Sequence, residues 1–334
     1  MARTVKIEQI QKAVKGANSL RHALAKIIAA GYAPIEVNLF RAMLAYFDQL
    51  PNCEVSEVHQ HYVEYLNKAK NKTRCEIADL LVVSFSKQNH TMRATFIQAK
   101  REVIPQPRNQ FRFHLAANQY QLLRNCPIID PKGSGLPANI LHDACSDAIS
   151  SYGVFYYDRG SCEFAYEITK MLRPTHPNRQ TGSMTCYFNT TNPIGGYPCR
   201  NPQQSIHYCG TPFGHCTPVL LSSIDTNDFE CALTRGVLGS PILGVLATQL
   251  IDFIANLHSG KTSKHAQAFS NFIIDFQEFF RNEENEMHYI PNRRADDNYR
   301  REWDVGNNIE WMLPRYVVLV DADKSELRNL EEPM

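Results

Sequence analysis

Two short apolar runs separated by a polar break mark the first third of the chain. Residues 80–83 and 94–97 are rich in β-branched and aromatic side chains, and turn-prone residues such as Asn89 and His90 lie between them. Runs of this length and composition, bounded by turn residues, are typical of β-strands. The pattern therefore predicts a β-hairpin, whose ends carry polar side chains that an ordinary core strand lacks.

These polar side chains lie just before the first strand and at the end of the second. Asp79 precedes the first strand, and Gln98, Ala99 and Lys100 end the second. Because side chains alternate along a strand, Gln98 and Lys100 share a face, and three polar groups converge if Asp79 lies opposite Gln98. Mg²⁺ prefers oxygen ligands and keeps several waters, and the Asp79 carboxylate, the Gln98 amide oxygen and the Ala99 carbonyl match that preference. We therefore predict a metal site there, with Lys100 orienting or helping to deprotonate an attacking water.

The hydrophobic periodicity upstream and downstream predicts further elements. Apolar residues at positions 39, 40, 43, 44 and 47 follow helical spacing, Pro34 suits a helix start, and the segment ends before Pro51. The same reasoning predicts helices at 110–125, 228–258 and 264–284, and strands at 152–157 and 316–320. The predicted order around the hairpin is helix, two strands, helix, strand.

Asp79 followed on the next strand by Gln98-x-Lys100 resembles the metal-binding core of the PD-(D/E)xK, or restriction-endonuclease-like, nuclease superfamily. The resemblance covers roughly residues 34–160, and two positions depart from the usual pattern. Ala78 stands where proline is common, and Gln98 replaces the usual Asp or Glu, as in branches such as the methyl-directed restriction nucleases. The resemblance implies an α/β fold, with a mixed central sheet flanked by helices, and Mg²⁺-dependent hydrolysis of DNA, with Mn²⁺ able to substitute.

The resemblance also implies a carboxylate that compensates for the neutral Gln98. In the superfamily a glutamate on the helix before the core strands often completes the metal site, and Glu36 is the matching position. An acid in the first turn of any helix is also favoured by the helix dipole, so both explanations stay open. Glu57, Glu64 and Glu76 are competitors, although Glu76 would face away from Asp79 in a regular strand.

A glutamine on the helix after the second strand reaches the active site in some branches of the superfamily. Gln119 and Gln121, both in the predicted helix 110–125, are the candidates for this role. Surface glutamines on helices are common, so the sequence leaves the plain structural explanation open.

The charge distribution restricts where a nucleic acid would bind. The chain has 334 residues with 35 basic and 34 acidic side chains, so a DNA-binding surface has to be local. Two basic clusters are candidates, because such clusters attract a phosphate backbone, although solvated helix faces carry similar charge. The N-terminal cluster is Arg3, Lys6, Lys12, Lys15, Arg21 and Lys26, and the second is Lys68, Lys70, Lys72 and Arg74.

A chain of this length is expected to form one elaborated domain or two. We divide it into a basic helical arm (1–33), a nuclease core (34–173), an irregular insertion rich in Pro, Gly and Cys (174–227) and a helical C-terminal part with a terminal strand (228–334). The insertion suggests a zinc site, but no Cys-x-x-Cys pair occurs and the spacing fits no common zinc module, so an ordered irregular insertion is the alternative. The residues in question are Cys186, Cys199, Cys209, Cys216, His207 and His215.

The apolar stretches do not suggest targeting to a membrane. The N-terminus shows no secretory signal, because its apolar residues are interrupted by basic ones. The longest apolar stretch, 237–257, contains Gly239, Pro241 and Asp252, so it predicts a buried helix and not a membrane span. We therefore expect a cytoplasmic protein whose ten cysteines are mostly thiols.

The sequence as a whole predicts an α/β protein with a restriction-endonuclease-like core and helical and irregular additions. Its expected function, by resemblance, is that of a Mg²⁺-dependent DNA endonuclease in restriction or anti-phage defence. A homodimer is expected because a duplex cutter has to cleave two antiparallel strands. Two alternatives stay open: a non-catalytic nucleic-acid-binding or scaffold protein with the same fold, and a nuclease acting on RNA or branched DNA.

Overall fold

The computed structural model describes nine stretches of the chain. They are 6–57, 62–86, 91–102, 110–131, 135–158, 160–175, 183–189, 224–258 and 315–323. The predicted helix 264–284 and most of the predicted insertion 174–227 lie outside these stretches.

Within the described stretches the chain forms six α-helices and twelve β-strands. The helices are α1 (Ile7–Val14), α2 (Leu20–Ala29), α3 (Glu36–Phe47), α4 (Ala117–Asn125), α5 (Thr226–Thr234) and α6 (Gly244–His258). The first six strands are β1 (Cys53–Glu57), β2 (Tyr62–Leu66), β3 (Lys72–Glu76), β4 (Leu80–Ser86), β5 (Thr91–Arg101) and β6 (Gln110–Ala116). The other six are β7 (Ile129–Asp130), β8 (Ser150–Asp158), β9 (Ser161–Ile168), β10 (Ser183–Asn189), β11 (Ser240–Pro241) and β12 (Tyr316–Asp321).

A seven-stranded mixed sheet organises the molecule. Its strand order is β1-β12-β4-β5-β8-β9, with the short β11 paired to β5. The predicted hairpin is confirmed, because β4 and β5 pair antiparallel with Leu80 opposite Ile97. β12 runs parallel to β4, and β8 runs parallel to β5. The predicted mixed α/β architecture is therefore confirmed at the level of a mixed sheet with helices.

Both faces of this sheet are covered, which explains why its central strands are continuously apolar. In β4, Leu81 and Val83 lie in one core together with residues of α4 and α6. The alternate residues Leu80 and Val82 lie in a second core together with residues of α1, α2, α3 and α5. The strand period of two thus divides the hydrophobic residues between two layers.

Three of the predicted elements around the hairpin agree with the structure. α3 spans the predicted helix before the hairpin, and β8 and β12 contain the predicted strands 152–157 and 316–320. The N-terminal residues form two short helices, α1 and α2, and Ser19 caps the second by accepting a hydrogen bond from the His22 backbone N–H at 3.1 Å. α1 and α2 pack on α3 through a shared core that buries Ile10, Val14, Leu24 and Ile27.

The helix predicted at 110–125 is wrong in its first half. Residues Gln110–Ala116 form β6, which pairs antiparallel with β10, and the helix α4 begins only at Ala117. Phe113 and Leu115 are buried while His114 between them is exposed, which is the alternation of a strand. The partner strand β10 comes from the predicted insertion, so local periodicity did not reveal it. β6 and β10 form a separate two-stranded sheet, and β3, β2 and β7 form a three-stranded one.

The single helix predicted at 228–258 is also wrong. α5 ends at Thr234, and the chain passes through Gly236, Gly239 and the short strand β11 before α6 begins at Gly244. Gly239 has a φ of +85°, and a Cβ at this position would lie 2.3 Å from the Ala94 carbonyl oxygen of β5. Only glycine permits this close approach, which interrupts the helix and lets β11 join the sheet.

Candidate active site

Asp79 lies in the connection between β3 and β4, at the end of the sheet where β4 and β12 both begin. Its backbone carbonyl accepts a hydrogen bond from the Tyr316 N–H at 3.0 Å, which fixes the main chain. Its side-chain oxygen Oδ2 accepts one bond from the Ala99 N–H at 2.9 Å and another from the Gln98 amide nitrogen. The carboxylate is therefore held by the end of β5, opposite Gln98 as the sequence predicted.

The amide of Gln98 is part of a buried chain of hydrogen bonds. Its nitrogen Nε2 donates to Asp79, and its oxygen Oε1 accepts from the amide nitrogen of Gln119 on α4. Gln119 also donates to the Glu76 carbonyl at 3.4 Å, and both glutamines are buried. Of the two candidate helix glutamines, Gln119 is the one that contacts the site through Gln98. In this arrangement the Gln98 oxygen is directed to Gln119, whereas a metal ion would require that oxygen as its ligand.

Lys100 and Glu36 approach Asp79 from two different elements. Lys100 Nζ lies 3.9 Å from Glu36 Oε1, which makes an ion pair between β5 and the first turn of α3. The Arg101 backbone also hydrogen-bonds to the Glu36 carboxylate. The structure thus places Asp79, Gln98, Lys100 and Glu36 together, although they come from three separate segments of the chain.

A small pocket lies beside the carboxylates of Asp79 and Glu36. Its volume is about 30 Å³, which is enough for a water or a small ion. Asp79, Ala99 and Glu36 line it, and so do two basic residues, Arg41 of α3 and Arg315. We call it the carboxylate pocket. It combines negative and positive side chains, the combination that a cation and a phosphate group together require.

Sequence analysis did not identify Arg315 as a site residue. It directly precedes β12. The parallel register of Tyr316 with Leu80 puts Arg315 beside Asp79 at the same end of the two strands. Its guanidinium lies 5.9 Å from the centroid of the Tyr316 ring. A basic residue immediately before a predicted strand was visible in the sequence, but the pairing partner of that strand was not.

Burial raises the pKa of three carboxylates at the site, those of Asp79, Glu36 and Glu76. Burial raises the pKa of Asp79, while the charges of Lys100 and Arg315 and the bonds from Ala99 and Gln98 act in the opposite direction. Burial likewise raises the pKa of Glu36, opposed by Lys100 and reinforced by the charge of Asp79. Acids that are buried together repel each other when ionised, and a bound cation would relieve that repulsion.

Glu76 is closer to the site than the sequence suggested. Burial and then the charge of Asp79 raise its pKa, and Lys100 and Arg315 lower it. The alternation argument against Glu76 does not apply, because β3 ends at Glu76 in one sheet and β4 begins at Leu80 in another. The other competitors have different partners: Glu57 accepts a bond from the Tyr316 hydroxyl at 3.2 Å, and Glu64 pairs with Lys72 at 2.6 Å.

The donor groups fit a weakly held divalent cation. Asp79 Oδ1 has no hydrogen-bond partner among the described residues, and Glu36 lines the same pocket. Two carboxylates suit Mg²⁺, which keeps several of its waters. In the described parts of the chain, however, no group of three or more His, Cys, Asp or Glu side chains is arranged to hold a metal ion.

A second, larger pocket lies on the other side of Lys100. It has a volume of about 360 Å³ and is formed where β6 passes into α4. We call it the flanking pocket. Its lining residues are Lys100, His114, Leu115, Ala116, Ala117, Asn118 and Ser183. Lys100 therefore borders this pocket and also contacts Glu36 of the carboxylate pocket.

The predicted basic clusters are partly used in internal contacts. In the N-terminal cluster Arg21 pairs with Glu163 at 2.6 Å, and Lys26 Nζ donates to the Lys15 carbonyl at 2.5 Å. In the second cluster Lys72 pairs with Glu64, and Arg74 lies over the Tyr62 ring at 5.0 Å. Arg3 lies outside the described residues.

The predicted zinc ligands are mostly outside the described stretches as well. Cys186 is described, and it is a buried thiol in β10. The positions Cys199, Cys209, Cys216, His207 and His215 are not described. None of the described helices is long and apolar enough to cross a membrane.

Comparisons of this chain with protein-family models, with curated proteins and with solved structures gave no match.

Proposed function

We propose that the chain is a Mg²⁺-dependent endonuclease that hydrolyses phosphodiester bonds in DNA, with Mn²⁺ able to substitute. The observation that carries the proposal is a pocket lined by Asp79, Glu36 and Arg315, with Lys100 Nζ 3.9 Å from Glu36 Oε1. A nuclease needs carboxylates for a cation, a group that handles the attacking water, and positive charge for the phosphate. The carboxylate pocket and the neighbouring Lys100 together supply all three.

The order of the surrounding elements supports a restriction-endonuclease-like core. Helix α3 precedes the hairpin β4–β5, helix α4 follows it, and β8 then joins β5 in parallel. Apart from the additional strands β1–β3 before the hairpin, β6 after it and the two-residue β7 before β8, this is the order of helix, two strands, helix and strand expected from the resemblance of Asp79 and Gln98-x-Lys100.

Each residue of the site has a separate role in the proposed reaction. Asp79 and Glu36 hold the cation, and Lys100 orients the attacking water and balances the charge of the phosphate. Arg315 and Arg41 bind non-bridging oxygens of the phosphate, for which the guanidinium fork is suited. When bound, Mg²⁺ supplies the charge that polarises the phosphate and lowers the pKa of a coordinated water.

Gln98 acts first as a positioning residue. Its amide nitrogen fixes one oxygen of Asp79, and the Ala99 N–H fixes it as well. For Gln98 to contribute its own oxygen as a ligand, its amide has to rotate, and Gln119 has to exchange its donor for its acceptor. Gln98 and Gln119 are able to reverse their hydrogen bond in this way because each amide has both a donor and an acceptor.

Restriction or anti-phage defence in the cytoplasm is the setting we propose for this activity, and a homodimer is the assembly. The setting rests on the resemblance of the hairpin motif. The homodimer rests on the need to cleave both antiparallel strands of a duplex substrate.

The decisive experiment is cleavage of plasmid, single-stranded DNA and RNA with Mg²⁺ or Mn²⁺. We expect the wild-type protein to cleave DNA, and Lys100→Ala and Asp79→Ala to lose activity without unfolding, because each removes a group that acts on the water or the cation. Lys170→Ala is the matched control, since Lys170 also pairs with a carboxylate, Asp147, but lines neither pocket. Full activity in either site variant would contradict the assignment.

One observation favours a second candidate, a non-catalytic nucleic-acid-binding or scaffold protein with the same fold. The Gln98 nitrogen and the Ala99 N–H already satisfy one oxygen of Asp79 without a cation. Calorimetric titration with Mg²⁺ and Mn²⁺ separates the two candidates. The endonuclease requires binding that is lost in Asp79→Ala, and the scaffold predicts none that depends on Asp79.

A further inference from the structure

Lys100 lies between the flanking pocket and the carboxylate pocket. Lys100 lines the flanking pocket, and its Nζ is 3.9 Å from Glu36, which lines the carboxylate pocket. A phosphate that Lys100 contacts beside the carboxylate pocket therefore also lies beside the flanking pocket.

The chemistry of the two pockets differs. Among the described residues, the polar lining of the flanking pocket consists of one cation, Lys100, and the side chains of His114, Asn118 and Ser183, without a carboxylate. His114 and Asn118 are exposed, and His114 Nδ1 has a single weak contact to the Thr185 hydroxyl at 3.5 Å. A positive group with an imidazole ring and an amide suits a nucleotide, because the ring stacks on a base and the amide hydrogen-bonds to its edge.

The size of the flanking pocket restricts the substrate. Its volume of about 360 Å³ is at the lower end of the range for small-ligand sites, roughly 300–1,000 Å³. A pocket of this size admits one nucleotide. A base has to leave its partner before it enters such a pocket.

We propose that the flanking pocket binds one unpaired nucleotide next to the scissile phosphate. His114 stacks on the base, Asn118 hydrogen-bonds to it, and Lys100 contacts the phosphate between the two pockets. The inference rests on the proposed nuclease function and narrows its substrate to strands with unpaired nucleotides at the cleavage point. Single-stranded segments, frayed ends and branch points meet this condition directly, whereas a continuous duplex meets it only where a base leaves its partner.

The test is binding of a fluorescent single-stranded oligonucleotide and of the matching duplex by the full chain in EDTA, so that no cleavage occurs. We expect the single strand to bind at least about tenfold more tightly than the duplex, because only its bases can stack in the pocket. His114→Ala and Asn118→Ala should each weaken single-strand binding about tenfold, and both should melt at the wild-type temperature. The control is His142→Ala, which removes an exposed imidazole that lines neither pocket.

Equal affinity for single strand and duplex, or wild-type affinity in both pocket variants, would overturn the inference. Its failure is distinguishable from failure of the proposed function. A protein that cleaves DNA but shows wild-type affinity in both pocket variants is a nuclease without this subsite. A protein that binds single strands through His114 and Asn118 but never cleaves with Mg²⁺ or Mn²⁺ has the subsite without the catalytic function.

Discussion

Two carboxylates, Asp79 and Glu163, are held in very different ways in the same sheet. Glu163 in β9 is buried. It forms an ion pair with Arg21 Nε at 2.6 Å and accepts hydrogen bonds from the Ser161 hydroxyl at 2.9 Å and the Thr226 hydroxyl at 2.5 Å. Asp79 has partners on one oxygen, and its nearest positive charges act on it without a direct ion pair among the described residues.

The difference separates a structural acid from a candidate catalytic one. The partners of Glu163 come from α2, β9 and the start of α5, so its carboxylate links three elements. Both of its oxygens have partners within the protein. Asp79 keeps an oxygen and a pocket available, at the cost of being incompletely compensated. Incomplete compensation of a buried charge is typical of functional sites.

The largest expected effect contrasts these two acids directly. Asp79→Asn should lower kcat for DNA cleavage by roughly 10²–10³-fold or more, because the amide cannot supply the charge that the cation needs. Glu163→Gln should leave kcat unchanged but lower the free energy of unfolding by about 1–3 kcal/mol, because it leaves buried donors poorly satisfied. Cleavage kinetics and urea denaturation of both variants measure the contrast. If both variants lose activity equally, or neither does, the division between the two acids is wrong.

A smaller effect is expected for the two arginines associated with these acids. Arg315→Gln should weaken substrate binding about 10–100-fold, seen as a higher KM, because a charged contact to the phosphate contributes about 1.5–3 kcal/mol. Its melting temperature should stay close to the wild-type value, since Arg315 contacts the Tyr316 ring and acts on Asp79 and Glu76 without a direct ion pair among the described residues.

Arg21→Gln is the matched control for this prediction. Arg21 pairs with Glu163, so its loss should lower stability and leave KM at the wild-type value. An Arg315 variant with wild-type KM would remove Arg315 from the phosphate site and leave Asp79 and Glu36 to be tested separately.

The smallest effect is a pH dependence of stability in EDTA. The folded pKa of Asp79 is raised above the usual value of about 3.9, so ionisation costs the folded state more than the unfolded state. This cost is absent below about pH 4 and is fully present above the folded pKa. Asp79→Asn should therefore be more stable than the wild type near neutral pH, and the advantage should shrink as the pH falls. A constant advantage at all pH values would mean that ionisation of Asp79 is not its source.

Local patterns were sufficient to predict the hairpin, α3 and the strands β8 and β12. In each case the buried face or the continuous apolar run lies within one segment, so the sequence contains the whole signal. The opposite positions of Asp79 and Gln98 also followed from strand geometry. The sequence named Gln119 only as one of two candidates, with Gln121, and the structure distinguishes them through the contact of Gln119 with Gln98.

The failures all involve contacts between distant segments. β6 is a strand because β10 pairs with it, and the helix 228–258 is interrupted because β11 meets β5 at Gly239. Arg315 reaches the site because β12 pairs in parallel with β4. Glu76 was set aside on the assumption that one strand continued from β3 into β4. No periodicity within a single segment encodes these pairings.

The central position of β12 has a consequence for the order in which the protein is completed. The Tyr316 hydroxyl donates to Glu57, which lies 259 positions earlier in the chain, and the Tyr316 N–H holds the backbone of Asp79. During synthesis, β1 and β4 therefore leave the ribosome long before the strand that joins them. Until β12 is added, β1 and β4 lack the strand that lies between them, and the Asp79 carbonyl lacks its bond from the Tyr316 N–H. Arg315 is also absent until then. In a growing chain the candidate site is thus incomplete until β12 joins the sheet.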